Sequence, residues 1–328
     1  MSPLISLAAV SRFSTTSPFF FQKRQLYQLA LFCFSMSLEL RSPCKVNLIL
    51  NILGKRADGF HELETLMHPI PFFDSLTFAK NSAPGIQLSC SDPLLRTDES
   101  NLVYKAAKLF GRAASVDIST IIHLEKRIPM AAGLGGGSGN AATTLLGLNQ
   151  LYDSVLSDAA LQGLAAELGS DVPFFLQSCP AIGLGRGEQI HQLSPYPILE
   201  GCWIILVHPG FGISTPWAYQ QLARFPEARN GIPGRAAKLD ASLRSGNWTA
   251  ITENIYNSLE APALEKYPLL ELFQTFFKKA GAVATLMSGS GSTTFAITDS
   301  DKSAKRISAE FRSHFGESFW MKAMGLGF

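Results

Sequence analysis

The sequence predicts an α+β protein in two parts of similar size, and three observations carry that reading. At 328 residues the chain is about twice the roughly 150 residues of an average domain. Strand patterns come first as a group, ahead of any long helix, whereas a doubly wound parallel sheet alternates strands and helices one for one. Near residue 185 the pattern changes and a second series of strands and helices begins, so the parts are expected at 37–190 and 191–328. With 46% hydrophobic and only 16% charged residues, most of the chain must fold. A net charge of +2 leaves no bulk electrostatic footprint for nucleic acid. Five cysteines, odd in number and far apart, draw neither a disulfide framework nor a zinc spacing, which fits a reducing compartment. No apolar run approaches the roughly 18 residues of a membrane span, so no membrane role is expected.

Residues 1–36 stand apart. They hold no acidic residue, carry Arg12, Lys23 and Arg24, and are rich in Ser, Thr and Phe. That composition is transit-like, and a misassigned start ahead of Met36 is the plain alternative. The expected location is the bacterial cytoplasm, or a plastid if the segment is a transit peptide. The fold begins near Lys45, where Val46, Leu48, Leu50 and Ile52 alternate with Lys45, Asn47, Ile49 and Asn51, a strand with one polar-tipped face. A polar turn at Gly54 to Gly59 leads to strand signals in Phe60 to Phe73, Ser75 to Ala79 and Ile118 to Leu124. Helical spacing marks Asn101 to Arg112 and Ala141 to Tyr152. A third helix starts at Ser157, a capping residue, and ends at Gly169. In the second part the order is a strand at Trp203 to His208, helices at Pro216 to Ala223 and Pro262 to Ala280, and strands at Ala284 to Met287 and Thr293 to Thr298. A helix from Lys302 and a last strand at Phe319 to Met324 complete it.

Chemistry concentrates at one loop. Five of the 27 glycines fall within Gly133 to Gly139, immediately before an amphipathic helix. Successive N–H groups freed of side chains can converge on an anion there, and the helix N-terminus adds partial positive charge. The loop lacks the Lys-[Ser/Thr] of a P-loop, and Ser138 and Asn140 break G-x-G-x-x-G, so neither common nucleotide fingerprint applies. A hydrolase elbow centred on Ser138 fails at Asn140, which leaves Ser138 as a helix cap or a phosphate ligand.

The segment Pro129-Met-Ala-Ala-Gly-Leu-Gly-Gly-Gly-Ser-Gly-Asn-Ala-Ala142 resembles the ATP-binding motif of the GHMP kinases. Three more motifs, Ser42-Pro-Cys-Lys-Val-Asn-Leu48, Arg56-Ala-Asp-Gly-Phe-His-Glu-Leu63 and Gly169-Ser-Asp-Val-Pro-Phe-Phe175, narrow the resemblance. They are similar to the branch of that family that phosphorylates a cytidine diphosphate-linked methylerythritol in the non-mevalonate isoprenoid pathway. A fourth, Met287-Ser-Gly-Ser-Gly-Ser-Thr293, resembles the family's C-terminal glycine motif. The resemblance implies a ribosomal-S5-domain-2-like ATP-binding domain followed by a ferredoxin-like domain. It also implies ATP-dependent transfer to the substrate's 2-hydroxyl, Mg²⁺ arriving with ATP, and a monomer or homodimer.

Residue by residue, the resemblance places ATP on Pro129, Met130, Ala131, Ala132, Gly133, Leu134, Gly135, Gly136, Gly137, Ser138 and Gly139, with Asn101, Leu102 and Lys126 lining the adenine pocket. Lys45 and Asp171 match the family's catalytic pair. Asp171 followed by Val-Pro is also a helix-start pattern, so a capping role stays open beside the catalytic one. Asn47, two residues from Lys45 on one strand face, is assigned to substrate contact. Phe60 and His61 correspond to an aromatic-His pair that holds cytosine by stacking and edge hydrogen bonds. Tyr219 would add a second stacking face and Thr215 a polar contact. Gly139 departs from the family's usual second Ser, removing a hydroxyl from the loop, and Phe60 replaces the more frequent Tyr. No acidic cluster resembles a metal cage. The rival readings are a GHMP kinase for homoserine, mevalonate or a sugar, whose substrates carry no base, and a non-catalytic nucleotide-binding relative.

Overall fold

The computed structural model describes residues 37–327, so the expected N-terminal extension lies outside the described residues. The first part opens with two long antiparallel strands, β1 (Leu38–Lys55) and β2 (His61–Lys80). The two segments read as separate strands at Phe60 to Phe73 and Ser75 to Ala79 are one strand, paired with β1 through three register shifts. A tight turn joins β1 to β2: Arg56 N donates to Phe60 O at 2.8 Å, and Asp58 Oδ1 accepts from Phe60 N at 3.0 Å.

Beyond β2, the chain forms β3 (Gly85–Cys90), α1 (Leu102–Ala114), β4 (Ser119–Glu125), α2 (Gly136–Leu151) and α3 (Asp158–Leu168). β4 lies antiparallel to β2 and parallel to β3, with α1 as the crossover between the two parallel strands. Two caps follow the sequence signals, Ser157 accepting from Ala160 N and Gly169 ending α3, and Asn101 adds a third by accepting from Val103 N. One sheet face carries Leu76, Phe78, Ile122 and Leu124 against Val103, Ala106 and Phe110 of α1 and Ala141, Leu145 and Leu148 of α2. Each large side chain buried here stabilises by roughly 1.5 to 3 kcal/mol. Gly147 belongs to this packing, because a Cβ there would meet the Phe78 ring at 2.5 Å. A short hairpin, β5 (Ala181–Leu184) and β6 (Gln189–Gln192), extends the sheet from β2.

The second part contains β7 (Trp203–His208), α4 (Thr215–Gln221), α5 (Pro226–Arg229), α6 (Arg235–Ser245), α7 (Trp248–Asn254) and β8 (Tyr256–Asn257). It continues with α8 (Glu260–Lys266), α9 (Pro268–Lys279), β9 (Ala284–Met287), β10 (Thr294–Thr298), α10 (Asp301–Phe315) and β11 (Trp320–Gly325). The helix expected at Pro262 to Ala280 is two helices, because Pro268 opens α9 and holds Tyr267 out of helical conformation. The strand order β11-β7-β10-β9, all antiparallel, is that of a ferredoxin-like β-α-β-β-α-β unit. Period 2 divides β7 between two cores. Ile205 and Val207 pack on Phe273 and Phe277 of α9 and Phe311 of α10, whereas Ile204 and Leu206 face Val46 and Leu48 of β1. The sheets therefore share a core, and two backbone links add to it. β8 pairs parallel with β1 at Ile49 and Leu50, and Glu64 of β2 accepts from the N–H groups of Gly234, Arg235 and Ala236 at the start of α6.

Candidate active site

β1 delivers two polar side chains to one face, as its alternation predicts. Lys45 is 2% exposed; its ammonium donates to Asn47 Oδ1 at 2.5 Å and Gly133 O at 3.0 Å and forms an ion pair with Asp171 Oδ2 at 3.5 Å. Two hydrogen bonds and one ion pair hold the charge at a fixed point. Asn47 is itself held, donating from Nδ2 to Thr65 Oγ1 at 2.8 Å, while Thr65 donates to Ile49 O at 2.6 Å. Asp171 reaches Lys45 from the turn between α3 and the short 3₁₀ segment Pro173–Leu176. The capping role is not realised, because Val172 occupies the N-cap and no side chain bonds the first turn there.

The glycine loop lies directly above this pair. α2 starts inside the loop, at Gly136, with left-handed Gly135 as its N-cap, so it begins earlier than its hydrophobic pattern predicts. Ser138 is consequently a first-turn residue and not the cap. The Gly133 carbonyl also accepts from Ser288 Oγ at 2.9 Å. A side chain at Gly133 is impossible, since its Cβ would lie 2.0 Å from Ser288 O and φ there is +76°. Ser288 to Thr293, the second glycine motif, is therefore wedged under the first. Asn257 of β8 braces the motif by donating to Met287 O and Gly289 O, both at 2.8 Å.

Gly139 departs from its expected role. A Cβ there would lie 2.7 Å from Pro43 O and 3.0 Å from Ser42 Oγ, which points the position into β1 and away from the loop's open side. A second Ser hydroxyl at 139 would not face a bound phosphate in this chain.

All of this opens on one cavity of about 1430 Å³. Every predicted site residue except Gly139 lines it. At one end Asn101 and Lys126 hold structural partners: Asn101 caps α1 and donates to Arg96 O, and Lys126 Nζ pairs with the fully buried Asp74 at 2.5 Å. Their side chains shape the pocket while their polar ends are used within the protein. At the other end Phe60 is 52% exposed, which excludes a core role, and the Arg186 guanidinium lies 4.7 Å from its ring centroid. His61 packs on Tyr219, with ring centroids 5.1 Å apart and tilted by 38°. Burial, with help from Lys55 and Arg229, lowers the His61 pKa below its ordinary value, so the imidazole is neutral near pH 7 and offers one donor and one acceptor. Burial and the nearby Asp171 charge raise the Tyr219 phenol. Tyr219 thus stands against His61, in the same cavity as Phe60. Thr215 Oγ1 and Ser290 Oγ are 2.8 Å apart, joining α4 to the second glycine motif.

Sequence reasoning missed Arg186, Lys55, Arg229, Asn140, Ser288 and Asn257. Asn140 and Ser288 lay inside motifs already noticed, but the others carry no local pattern. Six cations line the cavity, Lys45, Lys55, Arg96, Lys126, Arg186 and Arg229, against the single carboxylate of Asp171. Such a surplus concentrates anionic ligands.

Comparison with known proteins gives the same picture. The family model described as "GHMP kinases N terminal domain" matches residues 101–178, and that described as "GHMP kinases C terminal" matches residues 240–317. The 4-diphosphocytidyl-2-C-methyl-D-erythritol kinase of Protochlamydia amoebophila is 42% identical over 262 residues, covering 80% of this chain and 84% of that protein. The enzyme of the same name from Heliobacterium modesticaldum is 37% identical over 292 residues, covering 85% and 92%. A crystal structure of 4-(cytidine 5'-diphospho)-2C-methyl-D-erythritol kinase superposes with a TM-score of 0.70 at 33% identity, covering 88% of this chain and all of that one. Homoserine kinase from Cytophaga hutchinsonii, at 19% identity and a TM-score of 0.68, shares the fold. The ferredoxin-like second sheet, the glycine loop opening α2 and these relatives agree that the chain belongs to the 4-diphosphocytidyl-2-C-methyl-D-erythritol kinases of the GHMP kinase family.

Proposed function

We propose that this chain transfers the γ-phosphoryl group of ATP to the 2-hydroxyl of 4-diphosphocytidyl-2-C-methyl-D-erythritol, within isoprenoid biosynthesis. The observation that carries the reading is the position of the Lys45–Asp171 pair, hydrogen-bonded to the glycine loop through Gly133 O, in the same cavity as Phe60 and His61. ATP fits the loop: Gly136, Gly137 and Ser138 form the first turn of α2, no acidic side chain stands in that turn, and the N–H groups there are free to meet phosphate oxygens. The base end suits a cytosine, with an exposed ring for stacking and a neutral imidazole for its edge.

In the reaction the 2-hydroxyl oxygen forms a bond to the γ-phosphorus as the bond to the β-phosphate bridging oxygen breaks, releasing ADP. The hydroxyl proton passes to Asp171. Lys45, held by hydrogen bonds to Asn47 and Gly133, pairs with Asp171 and sets a positive charge beside the developing phosphoryl charge. Asn47 orients the acceptor alcohol from the same strand face. Among the described residues no three His, Cys, Asp or Glu side chains gather as a metal cage. Mg²⁺ would come with ATP, and the Ser138 hydroxyl, which lines the cavity, is the side chain that would meet it. When bound, it neutralises charge on the phosphate oxygens.

The test is an ADP-release assay with the purified protein, offering the cytidylylated substrate, homoserine and mevalonate in parallel. ADP should appear with the first and stay at background with the others. Release with homoserine or mevalonate alone would overturn the substrate assignment, and release with none would leave a nucleotide-binding protein without this activity.

A further inference from the structure

His208 closes β7 and is 7% exposed, a buried titratable group that the phosphoryl transfer does not use. Its Nδ1 accepts from Gly210 N–H at 3.2 Å, while among the described residues no acceptor reaches its buried Nε2. A ring nitrogen that accepts must carry a lone pair, so the proton of the neutral ring is on Nε2. The bond spans residues i and i+2, the arrangement by which Asn and Asp side chains close a turn on their own backbone. His208 fills that role here, ahead of Gly210 in the left-handed region at φ +88°.

The chain that leaves this turn builds one wall of the cavity. Phe211 O accepts from Ser292 Oγ of the second glycine motif, and a Cβ on Gly212 would lie 2.6 Å from Ala131 Cβ, beside the first. Ile213, 2% exposed, lines the cavity, and Ser214 caps α4 by accepting from Trp217 N at 3.4 Å. α4 then carries Thr215 to Ser290 and Tyr219 to His61. The direction the chain takes on leaving β7 therefore sets where Ile213, Thr215 and Tyr219 stand. Lys45 and Asp171 are carried by other elements and do not depend on this turn.

We infer that His208 is a positioning residue whose neutral ring fixes the exit of the chain from β7 and, through it, the substrate-side wall of the cavity. This rests on the substrate reading given above. Protonation would turn Nδ1 from an acceptor into a donor that faces the Gly210 N–H, and the turn would lose its bond. The flanking strands offer no compensation. Trp320 of β11 pairs with His208, and the register of β10 on β7, extended by one position, sets the uncharged Thr293 on the other side. Burial lowers the His208 pKa below its ordinary 6.5, and among the described residues no charged group contributes to that shift. The ring is therefore neutral near pH 7, and the turn is lost as pH falls through the lowered pKa.

Steady-state kinetics of the wild type, His208→Leu and His208→Asn, with nitrogen NMR of the His208 ring in the wild type, test this. The spectrum should show a bare Nδ1 and a protonated Nε2 near pH 7; a proton on Nδ1 would overturn the inference. Leu fills the space but accepts nothing, so the KM for the cytidylylated substrate should rise roughly 3- to 10-fold, with kcat and the KM for ATP near wild type. Asn, whose Oδ1 can close the same turn at every pH, should restore the wild-type KM. The wild-type-to-Asn ratio of kcat/KM should follow the ring's own titration, flat while the ring is neutral and falling where it protonates. A ratio that stays flat across that titration would overturn the inference, and so would an Asn variant as impaired as Leu, which would make His208 a packing residue. Should His208→Leu fail to fold, the comparison of wild type with Asn still decides. A wild type that does not turn over the cytidylylated substrate would overturn the proposed function first, whereas a wild type that does, beside a folded Leu variant with unchanged KM, refutes this inference alone.

Discussion

Truncating Phe60 to Ala separates substrate recognition from folding at the one aromatic ring that the cavity leaves half open. Phe60 is 52% exposed, with the Arg186 guanidinium in cation–π contact 4.7 Å from the ring centroid. A buried core Phe would cost about 3 to 5 kcal/mol on truncation. Here the protein loses only an exposed cation–π contact of roughly 0.5 to 1 kcal/mol. In a chain of this size that lowers the melting temperature by no more than about 4 °C. The substrate loses more. Stacking on cytosine contributes about 1 to 3 kcal/mol, which corresponds to a KM for the cytidylylated substrate raised roughly 5- to 150-fold. Because Arg186 covers one face of the ring, only the opposite face is open to the base, and Phe60→Tyr keeps that face. The assay is steady-state kinetics with each substrate varied in turn, paired with thermal melts. Selective loss in the cytidylylated substrate, near-constant KM for ATP and a small melting shift are expected, with Phe60→Tyr close to wild type. A large melting shift, or equal damage to both KM values, would refute the stacking assignment.

Three further outcomes follow from the geometry. Asp171→Asn should keep ATP affinity near wild type and cut kcat by roughly 10² to 10⁴, since it removes the proton acceptor and leaves the shape; single-turnover rates near wild type would show that Asp171 only positions Lys45. Gly139→Ser should lower stability by about 1 to 3 kcal/mol without improving the KM for ATP, because its Cβ would lie 2.7 Å from Pro43 O; a tighter KM at unchanged stability would mean that position 139 faces the nucleotide after all. Glu260 accepts from Met287 N at 2.7 Å beneath the second glycine motif, and burial pushes its carboxyl up to about 7 from an ordinary 4.5. A raised carboxyl pKa means that the folded state binds more protons between those values, so stability falls as pH rises from about 4.5 through 7, by about 3 kcal/mol in all. Glu260→Gln keeps an acceptor for Met287 N–H, so denaturant titrations should show it more stable than wild type at pH 8.5; the same difference at pH 5 would exclude titration as the cause.

What could be read from the sequence was what local repetition encodes. Period 2 in β1 places Lys45 and Asn47 on one face, and their side chains do meet. Capping chemistry marked Ser157 and Gly169 correctly, because a cap is a bond within a few residues. The start of α2 was hidden, since glycines disfavour helix on their own and only packing makes Gly136 helical. Contacts between distant positions left no trace at all. Arg186 meets Phe60 across 126 residues of chain, Asn257 braces a glycine motif 30 residues on, and β8 is a two-residue strand too short to carry a pattern. Even the Lys126 assignment shows the limit: the residue does line the cavity, yet its ammonium is bound to Asp74, a partner 52 residues away.

The carbonyl of Gly133 explains why a site shared by two sheets can be held so closely. It accepts at once from Lys45 of the first sheet and from Ser288, which follows β9 of the second. Ser288 is fixed in turn, since its N–H donates to Thr293 O and Thr293 N–H donates to Ala132 O, so the two glycine motifs are tied through their backbones. A displacement of the second sheet would therefore pull on the atom that orients Lys45, and Lys45 is the charge that faces Asp171. The shared core of Val46 and Leu48 with Ile204 and Leu206 resists that displacement from below. Lys45 contributes by where it is held: two hydrogen bonds and an ion pair fix its ammonium, so turning it toward a phosphoryl oxygen loosens its hold on Asn47, Gly133 or Asp171. Asp171 has the longest of these contacts at 3.5 Å and stands on a turn with 39% of its side chain exposed, so it is the acceptor that gives way most readily. In the proposed transfer, that ordering would free the carboxylate toward the substrate hydroxyl as the ammonium turns toward phosphate, with the loop and Asn47 keeping the lysine in place.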